Sequence, residues 1–175
     1  MGMYGNYLQL NNNSLRKITA DYETEAFDSI SNFIWDLETE AETKYYGIDK
    51  MWDALHFWLT SAPATTPPED NALSRAILGF HDLKKAEGYV GYALAYTTVE
   101  ELEEIIAALE EVDIDRLMTN FDMTRFHKAD IYPDIWTSES EYEEILDDLV
   151  TSYHNLLNFY RNAKDREMNI IFTIT

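Results

Sequence analysis

Apolar residues recur along this chain with two periods, and the change from one to the other separates strands from helices. Met3 to Leu10 mixes aromatic and aliphatic residues in a short extended run that Asn11-Asn12-Asn13 ends, and it reads as a strand. Glu167 to Thr175 sets Met168, Ile170, Phe172 and Ile174 on one face and Asn169, Ile171 and Thr173 on the other. Both faces are partly apolar, which places this strand inside a sheet rather than at its edge. Arg75 to Phe80 and Tyr89 to Thr97 read as two more strands, separated by a turn around Lys84-Lys85-Ala86-Glu87-Gly88. Helical spacing governs most of the remainder. Phe27, Ile30, Phe33, Ile34 and Leu37 form one stripe, and Trp52, Leu55, His56 and Leu59 a second. Val99, Leu102, Ile105, Ile106 and Leu109 follow, then a short helix through Ile114, Leu117 and Met118. The longest stripe runs through Tyr142, Ile145, Leu146, Leu149, Tyr153, Leu156, Leu157 and Tyr160, about five turns. Ser61 to Asn71, with three prolines and small polar residues, is a loop.

Strands and helices mix without regular βαβ alternation, no internal repeat is present and no linker divides the chain. The expected fold class is α+β: a single domain over residues 1–175. In it, a small, mostly antiparallel sheet that includes the N- and C-terminal strands packs with several amphipathic helices.

Two of the helices carry start signals. Thr98-Val99-Glu100-Glu101 and Ser138-Glu139-Ser140-Glu141 each have the capping-box pattern, in which the hydroxyl takes a backbone amide and the Glu reaches back to the cap amide. Those carboxylates belong to a larger pattern. Asp21–Glu42, Glu100–Asp115 and Asp134–Asp148 hold eight, eight and seven acidic residues, 23 of the 33 in the chain, and contain no Lys or Arg. They are the main source of the formal net charge of −20. Each lies on the polar side of a helix, where solvated sequences ordinarily mix the two signs.

This composition excludes several classes. A hydrophobic content of 46% supplies a core and argues against disorder. No apolar run approaches the roughly 20 residues that span a bilayer. The opening residues are neither a secretory signal nor, with Asn6 at the sixth position, a myristoylation signal. Without cysteine there is no disulfide and no thiolate chemistry, which suits a cytoplasmic protein. The acidity argues against direct contact with nucleic acid or anionic membranes. Nothing in the pattern sets an oligomeric state.

Familiar catalytic and cofactor motifs are absent. There is no P-loop and no Gly-x-Ser-x-Gly elbow, and His56, His81, His127 and His154 have no zinc-site spacing. The acid clusters lack a Gly-centred calcium loop. Neither a metal nor a cofactor is therefore expected, and no residue is assigned a catalytic role. His56 has Asp53 one helical turn before it and Thr60 one turn after it, an arrangement that serves either a general base or a satisfied core histidine. Tyr132 and Trp136 flank Pro133 just before the third acidic helix, where they act as binding anchors or as a staple that pins the turn.

Read together, several segments resemble the bacterial YfbM-like family. They are Met1-Gly2-Met3, Asp49 through Thr60, Leu73-Ser74-Arg75-Ala76-Ile77-Leu78-Gly79, Leu109 with Phe121-Asp122-Met123, Ile131 through Trp136, and the final helix and strand. The match runs in order along the whole chain. Gly79-Phe80 stands where the family pattern has a Gly-Gly step, and Gly88-Tyr89-Val90-Gly91-Tyr92 follows the family's glycine-rich run only loosely. The resemblance implies one α+β domain. It implies no activity, because the family is one of unknown function.

Three functions follow as expectations. The first is a non-catalytic acidic module, of inhibitor or immunity type, that neutralises a basic protein partner through Glu100, Glu103, Glu104, Glu143, Glu144, Asp147 and Asp148. The alternative is an enzyme or small-ligand protein with a cleft near His56, its ligand-binding candidates being Trp52, Asp53, His56, Arg75, Tyr132 and Trp136. A nucleic-acid mimic, with carboxylates standing for phosphates, is a further alternative. Against all three stands acid that serves solubility alone.

Overall fold

The structure, a computed structural model, describes residues 2–23, 32, 34–37, 44–83 and 93–174. Among the described residues, five strands form one antiparallel sheet in the order β2-β1-β5-β4-β3. They are β1 (Gly5–Leu10), β2 (Tyr45–Asp49), β3 (His81–Asp82), β4 (Ala93–Thr97) and β5 (Asn169–Ile174). β1 and β5, from opposite ends of the chain, pair from Gly5 with Ile174 to Leu10 with Asn169. Every residue of both strands is buried, as the two-faced apolar pattern of β5 requires.

Alternation sends the side chains of these strands into two cores. On one face Leu8, Leu10, Leu94 and Ile171 pack with Leu15 and Ile18 of α1 (Asn12–Glu23) and with Ile34 and Leu37. Ile34 and Leu37 are helical and buried, as their stripe predicts, whereas Phe27, Ile30 and Phe33 lie outside the described residues. The turn at 84–88 and the glycine-rich run at 88–92 also lie outside them. On the other face Tyr7, Ile170, Phe172 and Ile174 meet the larger core. That core is built by α2 (Trp52–Thr60), α3 (Ala72–Leu78), α4 (Leu102–Glu110), α6 (Met123–Lys128) and α7 (Tyr142–Asp165), with α5 (Ile114–Thr119) at its margin.

α2 is buried on all sides: each residue from Trp52 to Trp58 is covered, so the four-residue stripe understates how far it is enclosed. α7 buries Ile145, Leu149, Tyr153, Leu156, Leu157 and Tyr160 as the pattern requires, while Tyr142 at its start stays 37% exposed.

Two expectations are corrected. Arg75 to Phe80 is not a strand. Arg75 to Leu78 complete α3, whose N-cap Asn71 accepts the Ser74 amide at 2.9 Å. Gly79, at φ +88°, then turns the chain into β3, and a Cβ there would lie 2.6 Å from that of Ala95. Partners distant in sequence stabilise this short helix. The Tyr160 hydroxyl donates to the Ala76 carbonyl at 3.0 Å and the Tyr7 hydroxyl to the Ile77 carbonyl at 2.8 Å, satisfying last-turn acceptors that would otherwise be orphaned in the core.

The second correction concerns the capping boxes. The Glu101 carboxylate takes the Thr98 amide at 2.8 Å, ahead of α4. Ser138 makes no side-chain cap; its hydroxyl bonds that of Ser140 at 3.2 Å. A short serine side chain has competing local partners, and here the neighbouring hydroxyl wins.

Candidate functional site

α2 presents its polar side chains to two loops. The Nδ1 of His56 lies 2.8 Å from the Ala62 carbonyl and its Nε2 lies 2.8 Å from the Ser74 hydroxyl. A carbonyl only accepts, so Nδ1 carries the proton and Nε2 takes the Ser74 O–H. Asp53, also buried, accepts the Ala64 amide at 2.9 Å with one oxygen and the Tyr132 amide at 3.0 Å with the other. Burial lowers the His56 pKa; the Ala62 hydrogen bond and the Asp53 charge oppose that shift.

Trp52 and Tyr132 extend this network to the start of the chain. Their rings lie 6.0 Å apart, the Trp52 indole donates to the Met3 carbonyl at 3.2 Å, and the Tyr132 hydroxyl accepts the Met3 amide at 2.9 Å. Trp52, Asp53, His56 and Tyr132 therefore do come together, but with their hydrogen-bonding groups engaged by the protein itself. The arrangement ties the loop at 62–64, the turn at 132 and the N-terminal segment to one helix.

The other two ligand candidates stand apart. Trp136 is buried against Phe126, 4.4 Å between rings, and donates to the Ile131 carbonyl at 2.6 Å. Arg75 reaches Asp70 at 2.8 Å and Glu104 at 3.6 Å and covers the Phe80 ring.

The acid divides into two groups. On α4 it is answered by bases from elsewhere in the chain: Lys164 lies 3.3 Å from Glu103, Arg75 3.6 Å from Glu104, and Arg161 2.8 Å from Glu110. A stretch without a base in sequence thus has bases in space, chiefly from the end of α7. Glu100, exposed just before α4, has no ion pair among the described residues. Neither do Glu143, Glu144, Asp147 and Asp148, all exposed on the first two turns of α7. The helix dipole favours carboxylates there, which gives part of this acid a local structural role.

Beside those turns an open groove of about 660 Å³ runs between α6 and the start of α7. The buried Phe121, Met123 and Trp136 form its floor, while Asp122, Glu139 and Tyr142 give it charge and an exposed ring. The Tyr142 hydroxyl is held by the Phe121 carbonyl at 3.2 Å, and the two rings are 5.2 Å apart. Of these residues the sequence pattern marks only Trp136 as a ligand contact. Tyr142 hid in a core stripe, although its position ahead of the first buried turn of α7 is the signal that it lies at the edge of that stripe. Among the described residues no group of three or more His, Asp or Glu is placed to hold a metal ion, and no helix is long and apolar enough to cross a membrane.

Sheet order and two-sided core define an α+β protein, and residues 1–173 match the family described as a domain of unknown function, DUF1877, to which the chain belongs. Its relatives include Protein YfbM of Escherichia coli (strain K12), 30% identical over 161 residues, which are 92% of this chain and 91% of that protein. The crystal structure of YfbM from Escherichia coli, titled a protein of unknown function, superposes with a TM-score of 0.79 at 26% identity, covering 98% of this chain and 99% of that one.

Proposed function

We propose that the protein is a non-catalytic binding module for a basic protein, acting as an inhibitor or immunity-type partner. The observation that carries this reading is the exposed acid of Glu143, Glu144, Asp147 and Asp148, which has no ion pair among the described residues and adjoins an open groove bearing the exposed Tyr142 ring. Carboxylates in that setting steer a cationic partner and suppress anionic ones, while aromatic surface nearby supplies contact area. The α4 acid contributes less, since Lys164, Arg75 and Arg161 already answer it. Those interleaved cations also weaken the case for a phosphate mimic. An enzyme working through His56 would need substrate at a ring whose two nitrogens are engaged inside the core.

The test begins with capture of partners at low salt and ends with stopped-flow association. Binding of the cationic protein identified should slow by about tenfold or more between low and physiological salt. Neutralising the four α7 carboxylates (Glu143→Gln, Glu144→Gln, Asp147→Asn, Asp148→Asn) should remove most of that dependence. A partner whose association ignores ionic strength in the unaltered protein would end the charge-driven reading.

A further inference from the structure

The groove between α6 and the start of α7 has a chemistry more specific than bulk acidity. We infer that it is the subsite for an arginine side chain projected by the basic partner, an assignment that rests on the binding reading above.

Three features carry it. The first is a fixed aromatic surface. Tyr142 is anchored through its hydroxyl to the Phe121 carbonyl and still leaves 37% of its surface open. A ring immobilised before the ligand arrives loses little entropy on contact, and a guanidinium is attracted to such a face.

The second is charge. Asp122 and Glu139 line the groove, and the exposed Glu141 and Glu143 bracket Tyr142 in the chain. Glu139 has no ion pair among the described residues, and Asp122 uses one oxygen to cap α6 at the Thr124 amide, 2.9 Å away. Arg125, the nearby guanidinium of α6, is directed to Ser61 and the Phe57 ring instead. His127 is the basic side chain in the lining. An anionic ligand would meet these carboxylates at close range, so the complementary ligand is a cation.

The third is size. About 660 Å³ falls within the range of small-ligand clefts and exceeds what one side chain fills, leaving room for the backbone that carries it. A planar fork that both stacks and pairs with a carboxylate suits aromatic and acidic surface together better than the compact, strongly hydrated ammonium of lysine.

The experiment uses the full chain and three small probes: N-acetyl-arginine N-methylamide, the matching citrulline derivative, which is isosteric and uncharged, and the matching lysine derivative. Amide and indole signals are followed by NMR at constant ionic strength. The arginine probe should shift the Trp136 indole and Thr137 amide signals saturably, with half-saturation on the order of millimolar for so small a contact. Glu139→Gln, a surface change that leaves the core untouched, and Tyr142→Ala should each weaken it by about threefold or more. Equal shifts from the citrulline or lysine derivative would overturn the assignment. So would a response centred on Glu143 to Asp148 that leaves the groove signals in place, or no saturable response at all. None of these failures bears on the proposed binding function, which stands or falls on the salt dependence of the partner's association.

Discussion

At His56, sequence and structure part over a single carbonyl. The sequence places a carboxylate one turn away, the partner a general base would use. The fold instead gives Nδ1 to the Ala62 carbonyl and sends both oxygens of Asp53 to the Ala64 and Tyr132 amides. A neutral ring donates at one nitrogen and accepts at the other, and protonation would put a second donor where the Ser74 hydroxyl now donates. Burial lowers the folded pKa below the ordinary histidine value, so below pH about 6.5 the unfolded chain takes up a proton that the folded one resists. The stability His56 confers is therefore fully present above that pH and is lost as pH falls toward the folded pKa. In urea unfolding, the gap between wild type and His56→Gln should shrink from pH 7.5 to pH 5.5. A gap that widens on acidification would mean that attraction to Asp53 outweighs burial. Asp53→Ala should lower the unfolding free energy by about 2–4 kcal/mol, because it strands two amides that a carboxylate now holds. A loss below about 1 kcal/mol would show that water replaces the carboxylate.

At the scale of the element, the two acidic helices begin with the same sequence pattern and different chemistry. Glu101 reaches back to Thr98 ahead of α4, whereas ahead of α7 Ser138 turns to Ser140. Glu101→Ala should cost about 1 kcal/mol by thermal or urea unfolding, and Ser138→Ala should stay within about 0.5 kcal/mol of wild type. Equal effects would mean that Ser138 caps α7 in solution. α3 shows the opposite dependence, on residues far from it in sequence. Burial raises the pKa of both Tyr7 and Tyr160, keeping their hydroxyls protonated and able to donate to the last-turn carbonyls of α3. Tyr160→Phe leaves the Ala76 carbonyl buried without that donor and should destabilise the protein by about 1–3 kcal/mol, with the amides of α3 showing faster hydrogen exchange. Unchanged exchange would separate α3 from this tyrosine.

For the molecule as a whole, the formal net charge of −20 sets self-repulsion against a core that closes on both faces of the sheet. The α4 ion pairs lie at the surface, with only Arg75 half-buried, and each contributes little, so screening should relieve more repulsion than attraction. Moving from low to physiological salt should therefore raise the thermal midpoint by about 2–4 °C, the equivalent of about 1 kcal/mol for a chain of this size. A falling midpoint would show that the cross-helix pairs outweigh the repulsion.

What the sequence determined by itself is the part written in local periodicity: the α+β class, the buried terminal strands, the long stripe of α7 and the Ser61 to Asn71 loop. The strands and helices are legible because burial imposes its pattern on neighbouring residues, and the loop because prolines and small polar residues break that pattern. Tertiary structure alone decided the rest. The apolar run at 76–78 is too short to distinguish strand from helix, and it became helix through Asn71, Gly79 and two distant tyrosines. Bases absent from the acidic stretch at 100–115 arrived from α7 and α3 across space. His56 and Asp53 became a latch because the fold lays the adjoining loop at 62–64 back onto α2 and brings the Ser74 hydroxyl and the distant Tyr132 amide to them. Hydrogen bonds and ion pairs of that range depend on which elements the fold brings together, and no spacing along the chain records them.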